Sequence, residues 1–102
     1  MHAKSKEFCA VLDEIKAMHL KKSADYGTDT DPLANVRSSG EFGVPAWVGV
    51  AIRANDKMSR LKSFVAKGKL ENESVEDALL DLASYSVIAL VLMRETRHEL
   101  GH

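Results

Sequence analysis

The segment from Ser74 to about Arg94 constrains the fold more than any other part of this 102-residue chain. It opens with Ser74-Val75-Glu76-Asp77, which is typical of a helix N-terminus with a capping hydroxyl and carboxylates in the first turn. Its apolar residues cover most of the helix circumference: Leu79, Leu80, Leu82, Val87, Ile88, Leu90, Val91 and Leu92. Because such a helix must be buried on several sides, the pattern predicts a helical bundle that is completed by oligomerisation.

Two further segments carry the spacing of helices that bury one face. Between Lys4 and Lys22 apolar residues recur at intervals of three and four: Phe8, Val11, Leu12, Ile15 and Met18. The next helix is expected from about Pro45 to Ala66, since proline suits a first helical turn and Gly68 is a typical stop. The short link after Gly68 favours antiparallel neighbours. We therefore expect an all-α fold, a small antiparallel bundle of three main helices.

The stretch from Ser23 to Val44 is expected to be a long ordered loop. It is rich in Asp, Asn, Gly, Pro and Ser, the residues that favour turns. A loop of this length inside a small domain is commonly functional, so we expect it to contribute to a ligand site, with one helical turn near Pro32 to Val36. Lys21 and Lys22 precede it, and Gly27 would allow a ligand to approach the backbone closely.

Composition is that of one globular domain over residues 1–102. The chain is 45% hydrophobic and 28% charged, with a net charge of −1, which argues against binding of a nucleic acid polymer. The only cysteine, Cys9, is expected in the core and cannot form an internal disulfide, which fits a reducing compartment. The polar start of the chain predicts no signal peptide, and the longest apolar run, Leu82 to Met93, is too short for a membrane span. We expect a cytoplasmic protein.

Two charged stripes are candidates for chemistry. On the second of the three helices, four residues share one face: Arg53, Asp56, Lys57 and Arg60. On the last helix, Asp77 and Asp81 lie one turn apart, and Asp81 stands among apolar residues, where a carboxylate needs a metal or a cationic partner. Carboxylate oxygens suit Mg²⁺ or Mn²⁺, and Asp56 would complete a three-carboxylate site. The alternatives are an ion pair of Asp81 with Arg53 or Arg60, and a solvated stripe of helix ion pairs.

Short motifs along most of the chain, from about Lys21 to Leu92, resemble one family. They are Lys21-Lys22, Asp25-Tyr26-Gly27, Asp31-Pro32, Asn35, Gly43-Val44-Pro45-Ala46-Trp47, Ile52-Arg53, Asp56-Lys57, Arg60-Leu61, Glu73-Ser74, Asp77, Leu80-Asp81-Leu82 and Tyr85. They are similar to those of small phage and bacterial proteins described as nucleotide-modification-associated, or MazG-like, domains. That family looks related to all-α NTP pyrophosphatases, which bind Mg²⁺ through acidic pairs on two helices.

The resemblance implies a nucleotide-binding protein, which would act in the host cell cytoplasm if it is phage-encoded. In a Mg²⁺-dependent nucleoside triphosphate pyrophosphohydrolase, the metal ligands and catalytic residues would be Asp56, Asp77 and Asp81. The substrate would be a (d)NTP or a modified nucleotide, and the expected contacts are Lys21, Lys22, Tyr26, Gly27, Trp47, Arg53, Lys57 and Arg60. Arg53 replaces the first acid of the first pair. The alternatives are therefore a non-catalytic sensor or sequestering protein, and a helical scaffold without a ligand.

Overall fold

A computed structural model describes residues 1–26, 33–37 and 43–99, except for the side chains of residues 26, 34, 35, 98 and 99. All regular structure in these ranges is helical, which confirms the all-α class. The helices in chain order are α1 (Ala3–Tyr26), α2 (Ala34–Arg37), α3 (Ala46–Lys67) and α4 (Val75–Glu99). The chain divides into two compact units, Met1–Asn35 and Val36–His102. The single domain expected over residues 1–102 stays a prediction.

The first unit contains α1, which is longer than the sequence pattern indicated. The predicted loop start at Ser23 is wrong, because α1 continues to Tyr26. The Ser23 hydroxyl donates to the carbonyl of Leu20 at 3.2 Å, a bond that a helical serine makes without leaving the helix. The predicted helical turn inside the loop is present as α2, and residues 27–32 and 38–42 of the predicted loop lie outside the described ranges.

The apolar side of α1 is only partly covered. Ile15 and Met18 are half-buried, whereas Phe8 is 65% exposed. Cys9 is exposed, so the expectation of a core cysteine is wrong. At 100° per residue Cys9 lies on the opposite side of α1 from Met18, and it therefore points away from the half-buried face.

The second unit is built on a hairpin of α3 and α4. Helix α3 begins directly after Pro45, whose carbonyl accepts from the amides of Val48 and Gly49 at 3.0 and 3.2 Å. Gly68 ends it in the left-handed conformation, with φ of +77° and its amide bonded to the carbonyl of Phe64 at 2.7 Å. A residue with a side chain is disfavoured at this φ, so Gly68 is the stop that the sequence predicts.

A capping box opens α4. The amide of Asp77 donates to the Ser74 hydroxyl at 3.0 Å, and the amide of Ser74 lies 3.5 Å from Asp77 Oδ2. These contacts satisfy two amides that have no partner within the helix. The predicted N-terminus of this helix is therefore confirmed, and the bonds place the Asp77 carboxylate beside the cap.

The core of the second unit lies between α3 and α4. Val50, Ala78 and Leu92 are almost fully buried, and Val36 of α2 is buried as well. Other apolar residues of α4 remain exposed on the opposite side of the helix, which confirms that its apolar residues are not confined to one stripe. None of the described helices is long and apolar enough to cross a membrane.

Candidate functional site

Lys57 lies at the centre of a half-buried charged cluster on the α3–α4 hairpin. Its ammonium nitrogen is 3.0 Å from Glu73 Oε2 and 3.0 Å from Asp81 Oδ2. The three side chains are only 13–17% exposed. Lys57 reaches α4 because it follows the buried Val50 by seven residues, close to two helical turns, and so shares the inner face of α3.

The surroundings of Lys57 keep it protonated. Burial by itself would lower the pKa of this amine, but hydrogen bonds and charge attraction from Glu73 and Asp81 outweigh burial and raise the pKa above its ordinary value. A lysine ammonium offers three donors, so it can bind two carboxylates at once. The positive charge at this point therefore persists throughout the physiological pH range.

Arg60 extends the cluster towards the surface. Its Nη1 lies 3.1 Å from Glu73 Oε1, and its Nε donates to Asp56 Oδ2 at 3.1 Å. The hydrogen bond and charge of Asp56, followed by the charge of Glu73, raise the pKa of the guanidinium. Glu73 Oε1 is buried and accepts no hydrogen bond in the described part of the chain, although Arg60 Nη1 lies 3.1 Å from it. Within the described part of the chain, the Arg60 guanidinium therefore balances the charge of this oxygen without donating a hydrogen bond to it.

The three predicted metal ligands have separate surroundings. Asp56 is largely exposed and bonds Arg60, Asp77 belongs to the capping box, and Asp81 lies against Lys57. No group of three or more histidine, cysteine or acidic side chains is placed to hold a metal ion among the described residues. The described arrangement therefore does not fit a three-carboxylate metal site, and Mg²⁺ or Mn²⁺ binding stays a prediction.

A cavity of about 270 Å³ adjoins the cluster at the turn of the hairpin. Its walls are the end of α3 and the link to α4, and its lining residues are Arg60, Ser63, Lys67, Lys69, Leu70, Glu71, Asn72 and Glu73. Three of these side chains are cationic, two are carboxylates, and two carry neutral hydrogen-bonding groups. The volume approaches the lower limit of typical small-molecule sites, and the lining suits a ligand that carries negative charge.

The remaining predicted contact residues are distributed over both units. Arg53 is exposed on α3 and forms no ion pair with any described residue, while Trp47 is half-buried in the first turn of the same helix. Lys21 and Lys22 are exposed in the last turns of α1, in the first unit. The side chain of Tyr26 and the whole of Gly27 lie outside the described part. The structure therefore unites Lys57, Arg60, Asp56 and Asp81 in one cluster.

Glu73 is the residue of this cluster that the sequence reasoning missed as a site residue. It stands in the link just before the cap Ser74, where helical periodicity does not apply. The available signal was its place within four residues of Asn72 and Asp77, next to a helix start that the sequence already predicted. No protein-family model, curated protein or solved structure matches the chain.

Proposed function

We propose that this protein binds a nucleotide at the α3–α4 hairpin, with its phosphates in the cavity at the hairpin turn. The observation that supports the proposal is the small excess of positive charge in the lining of that cavity, where Arg60, Lys67 and Lys69 stand with two carboxylates. Ammonium and guanidinium groups form charge-assisted hydrogen bonds with phosphate oxygens, which are shorter and stronger than neutral ones. Asn72 and Ser63 supply neutral groups for orientation.

Charge balance favours a phosphorylated ligand over a neutral one. Arg60 and Glu73 compensate each other at 3.1 Å, which leaves Lys67 and Lys69 against the single carboxylate of Glu71. The excess positive charge of the cavity lining is small, so we expect a modest affinity for nucleotide that falls as salt concentration rises. Lys21, Lys22, Tyr26, Gly27, Trp47 and Arg53 stay predicted contacts on the basis of the resemblance.

Calorimetric titration with a mixture of (d)NTPs tests the proposal. The test variant is Lys67→Ala/Lys69→Ala, and the matched control is Lys62→Ala, which removes an exposed lysine of α3 outside the cavity. We expect saturable binding by the wild type and the control, and binding weakened about tenfold or more in the double variant, which corresponds to about 1.4 kcal/mol. Equal binding by all three proteins, or none by the wild type, would contradict the proposed site.

Mg²⁺-dependent hydrolysis of a nucleoside triphosphate is a second candidate function. Its support is the resemblance to Mg²⁺-dependent pyrophosphatases, since Glu73 and Asp81 share the Lys57 ammonium and a metal ion would have to replace it there. When bound, a divalent metal neutralises phosphate charge and activates water. A non-catalytic sensor or sequestering protein needs only nucleotide binding, and a helical scaffold needs neither nucleotide binding nor hydrolysis.

Chromatography separates these possibilities. Incubation with mixed (d)NTPs and Mg²⁺ gives monophosphate and pyrophosphate if the protein is a pyrophosphohydrolase, and unchanged triphosphate if it only binds. Thermal unfolding of Asp81→Asn and of the wild type, with and without Mg²⁺ and nucleotide, tests the metal ligand, because ligands stabilise the native state by mass action. An equal Mg²⁺-dependent shift in both proteins would exclude an important role for Asp81 in metal binding.

The proposal includes a homo-oligomer in a cytoplasmic setting. Its support is the apolar surface that α4 leaves exposed, including Leu79 and Val87. Apolar side chains on this scale are commonly covered by another subunit. Light scattering that gave the mass of one chain at every micromolar concentration tested would contradict it.

A further inference from the structure

The outer face of α4 is an unpaired apolar surface with a regular pattern. Leu79, Val87, Leu90 and Val91 are each between 40% and 54% exposed, whereas Ala78 and Leu92 on the other side are almost fully buried. The helix therefore has two apolar faces, and the hairpin covers one of them. We name the exposed one the outer face, comprising Leu79, Ala83, Ser86, Val87, Leu90 and Val91.

The spacing on the outer face is that of a helix that pairs with another helix. Leu79, Ala83, Ser86 and Leu90 follow one another at intervals of four, three and four residues, which is the repeat of a coiled-coil seam. Small side chains stand in the middle, at Ala83 and Ser86, so two helices can approach closely there. The leucines stand at the two ends, where they can pack beside the partner backbone.

Opposite charges stand at the two ends of the same face. Glu76 and Arg94 are eighteen residues apart, which is five full turns, so both lie along one line on the helix. Both are exposed, and neither forms an ion pair with a residue that the structure describes. Each is nine residues from Tyr85, and Ala83 and Val87 are each two residues from it.

We infer that the outer face binds the same face of a second copy, with the two α4 helices antiparallel about a two-fold axis that meets the outer face between Ala83 and Val87, level with Tyr85 on the opposite side of the helix. This inference rests on the proposed homo-oligomer and specifies its interface. An axis at that point brings Glu76 of one chain to Arg94 of the other twice, and it brings Ala83 to Val87 of the partner across the centre. A two-fold contact joins identical patches, so it requires a self-complementary surface. The outer face meets this requirement because its two opposite charges lie at equal distances from the axis.

Charge reversal provides a test that distinguishes a second copy from other occupants. Glu76→Arg and Arg94→Glu each place two like-charged pairs across the interface, whereas the double variant restores both pairs with the signs exchanged. Lys62→Glu is the matched control, since it reverses an exposed charge on α3 away from the outer face. Circular dichroism confirms that each variant keeps its helices before its mass is measured.

Sedimentation equilibrium from low to high micromolar concentration reads out the result. We expect wild type, the control and the double variant to associate alike, and each single reversal to weaken dimerisation at least tenfold. If the single reversals associate as the wild type does, or if the double variant stays as weak as the singles, the antiparallel arrangement is wrong. A wild-type mass of one chain throughout would show that a segment of the same chain, or nothing, covers this face.

Disulfide trapping gives a second readout that does not depend on charge. In a Cys9→Ser background, Ala83→Cys/Val87→Cys is expected to form a covalent dimer under mild oxidation, because the two positions meet across the axis. A pair introduced at Lys62 and Ser59 of α3 is the control. Absence of the covalent dimer would overturn the inference, whereas nucleotide binding by the monomeric charge-reversal variants is measured separately and tests the proposed site alone.

Discussion

Replacing Lys57 with methionine removes the charge that holds the α3–α4 hairpin together and keeps a side chain of similar length. Glu73 and Asp81 would then lose the ammonium that lies 3.0 Å from each of them, while remaining more than four-fifths buried. Removing one partner of a fully buried ion pair costs about 3–5 kcal/mol. Since the three side chains keep some contact with water, we expect a smaller loss of about 2–3 kcal/mol, which reaches only the lower limit of that range.

That loss is large for a domain of this size. Small domains are stable by about 5–15 kcal/mol, and 1 kcal/mol shifts Tm by about 4–8 °C in a chain of up to about 100 residues. We therefore expect Lys57→Met to lower Tm by roughly 10–20 °C. Urea unfolding followed by the fluorescence of Trp47, the only tryptophan, measures the same loss as a free energy of unfolding.

Two further variants make this prediction specific. Lys62→Met removes an exposed lysine of the same helix, and it should change the free energy of unfolding by less than about 0.5 kcal/mol. Lys57→Met/Asp81→Asn should recover part of the loss, because only one carboxylate then remains without its cation. A Lys57→Met protein within about 0.5 kcal/mol of the wild type would refute the view that this cluster joins α3 to α4.

Three other expectations follow from the same contacts. Because the pKa of Lys57 is raised on folding, its contribution to stability is complete below the unfolded pKa of about 10.4 and is lost as pH rises through the higher folded pKa. In urea unfolding above the unfolded pKa, the free energy of unfolding should decline more steeply with pH in the wild type than in Lys57→Met. Ser74→Ala should cost about 1 kcal/mol in thermal unfolding, since it removes the cap of α4. Leu92→Ala should cost about 2–5 kcal/mol, and no measurable loss would show that this side chain is not packed in the core.

The ends of the hairpin helices are the part of the fold that the sequence predicts best. Gly68 and Ser74 act locally: one supplies a left-handed backbone and the other a hydroxyl for an unpaired amide. Local chemistry of this kind does not depend on the rest of the molecule. The end of α1 was predicted less well, because Ser23 can either cap a turn or bond back to the preceding turn of its own helix, as it does here.

The sequence alone does not determine which cation of α3 pairs with Asp81. A carboxylate among apolar residues predicts a metal or a cation, and the structure supplies the cation. It is Lys57, whereas Arg53 and Arg60 were the expected partners. All three share one broad stripe of α3, and only the rotation of that helix about its axis, fixed by burial of Val50, decides which one faces α4. Glu73 lies in a link, where no periodicity exists to reveal its position.

Titration of isotope-labelled protein with nucleotide, followed by amide chemical shifts, tests the proposed function most directly. If the phosphates bind at the hairpin turn, saturable changes in amide chemical shift should appear within residues 60–73 and include Lys67, Lys69 and Asn72. The same titration of Lys67→Ala/Lys69→Ala should require at least tenfold more nucleotide. An absence of shifts with every (d)NTP, or saturable shifts that leave residues 60–73 unchanged, would contradict nucleotide binding at this site.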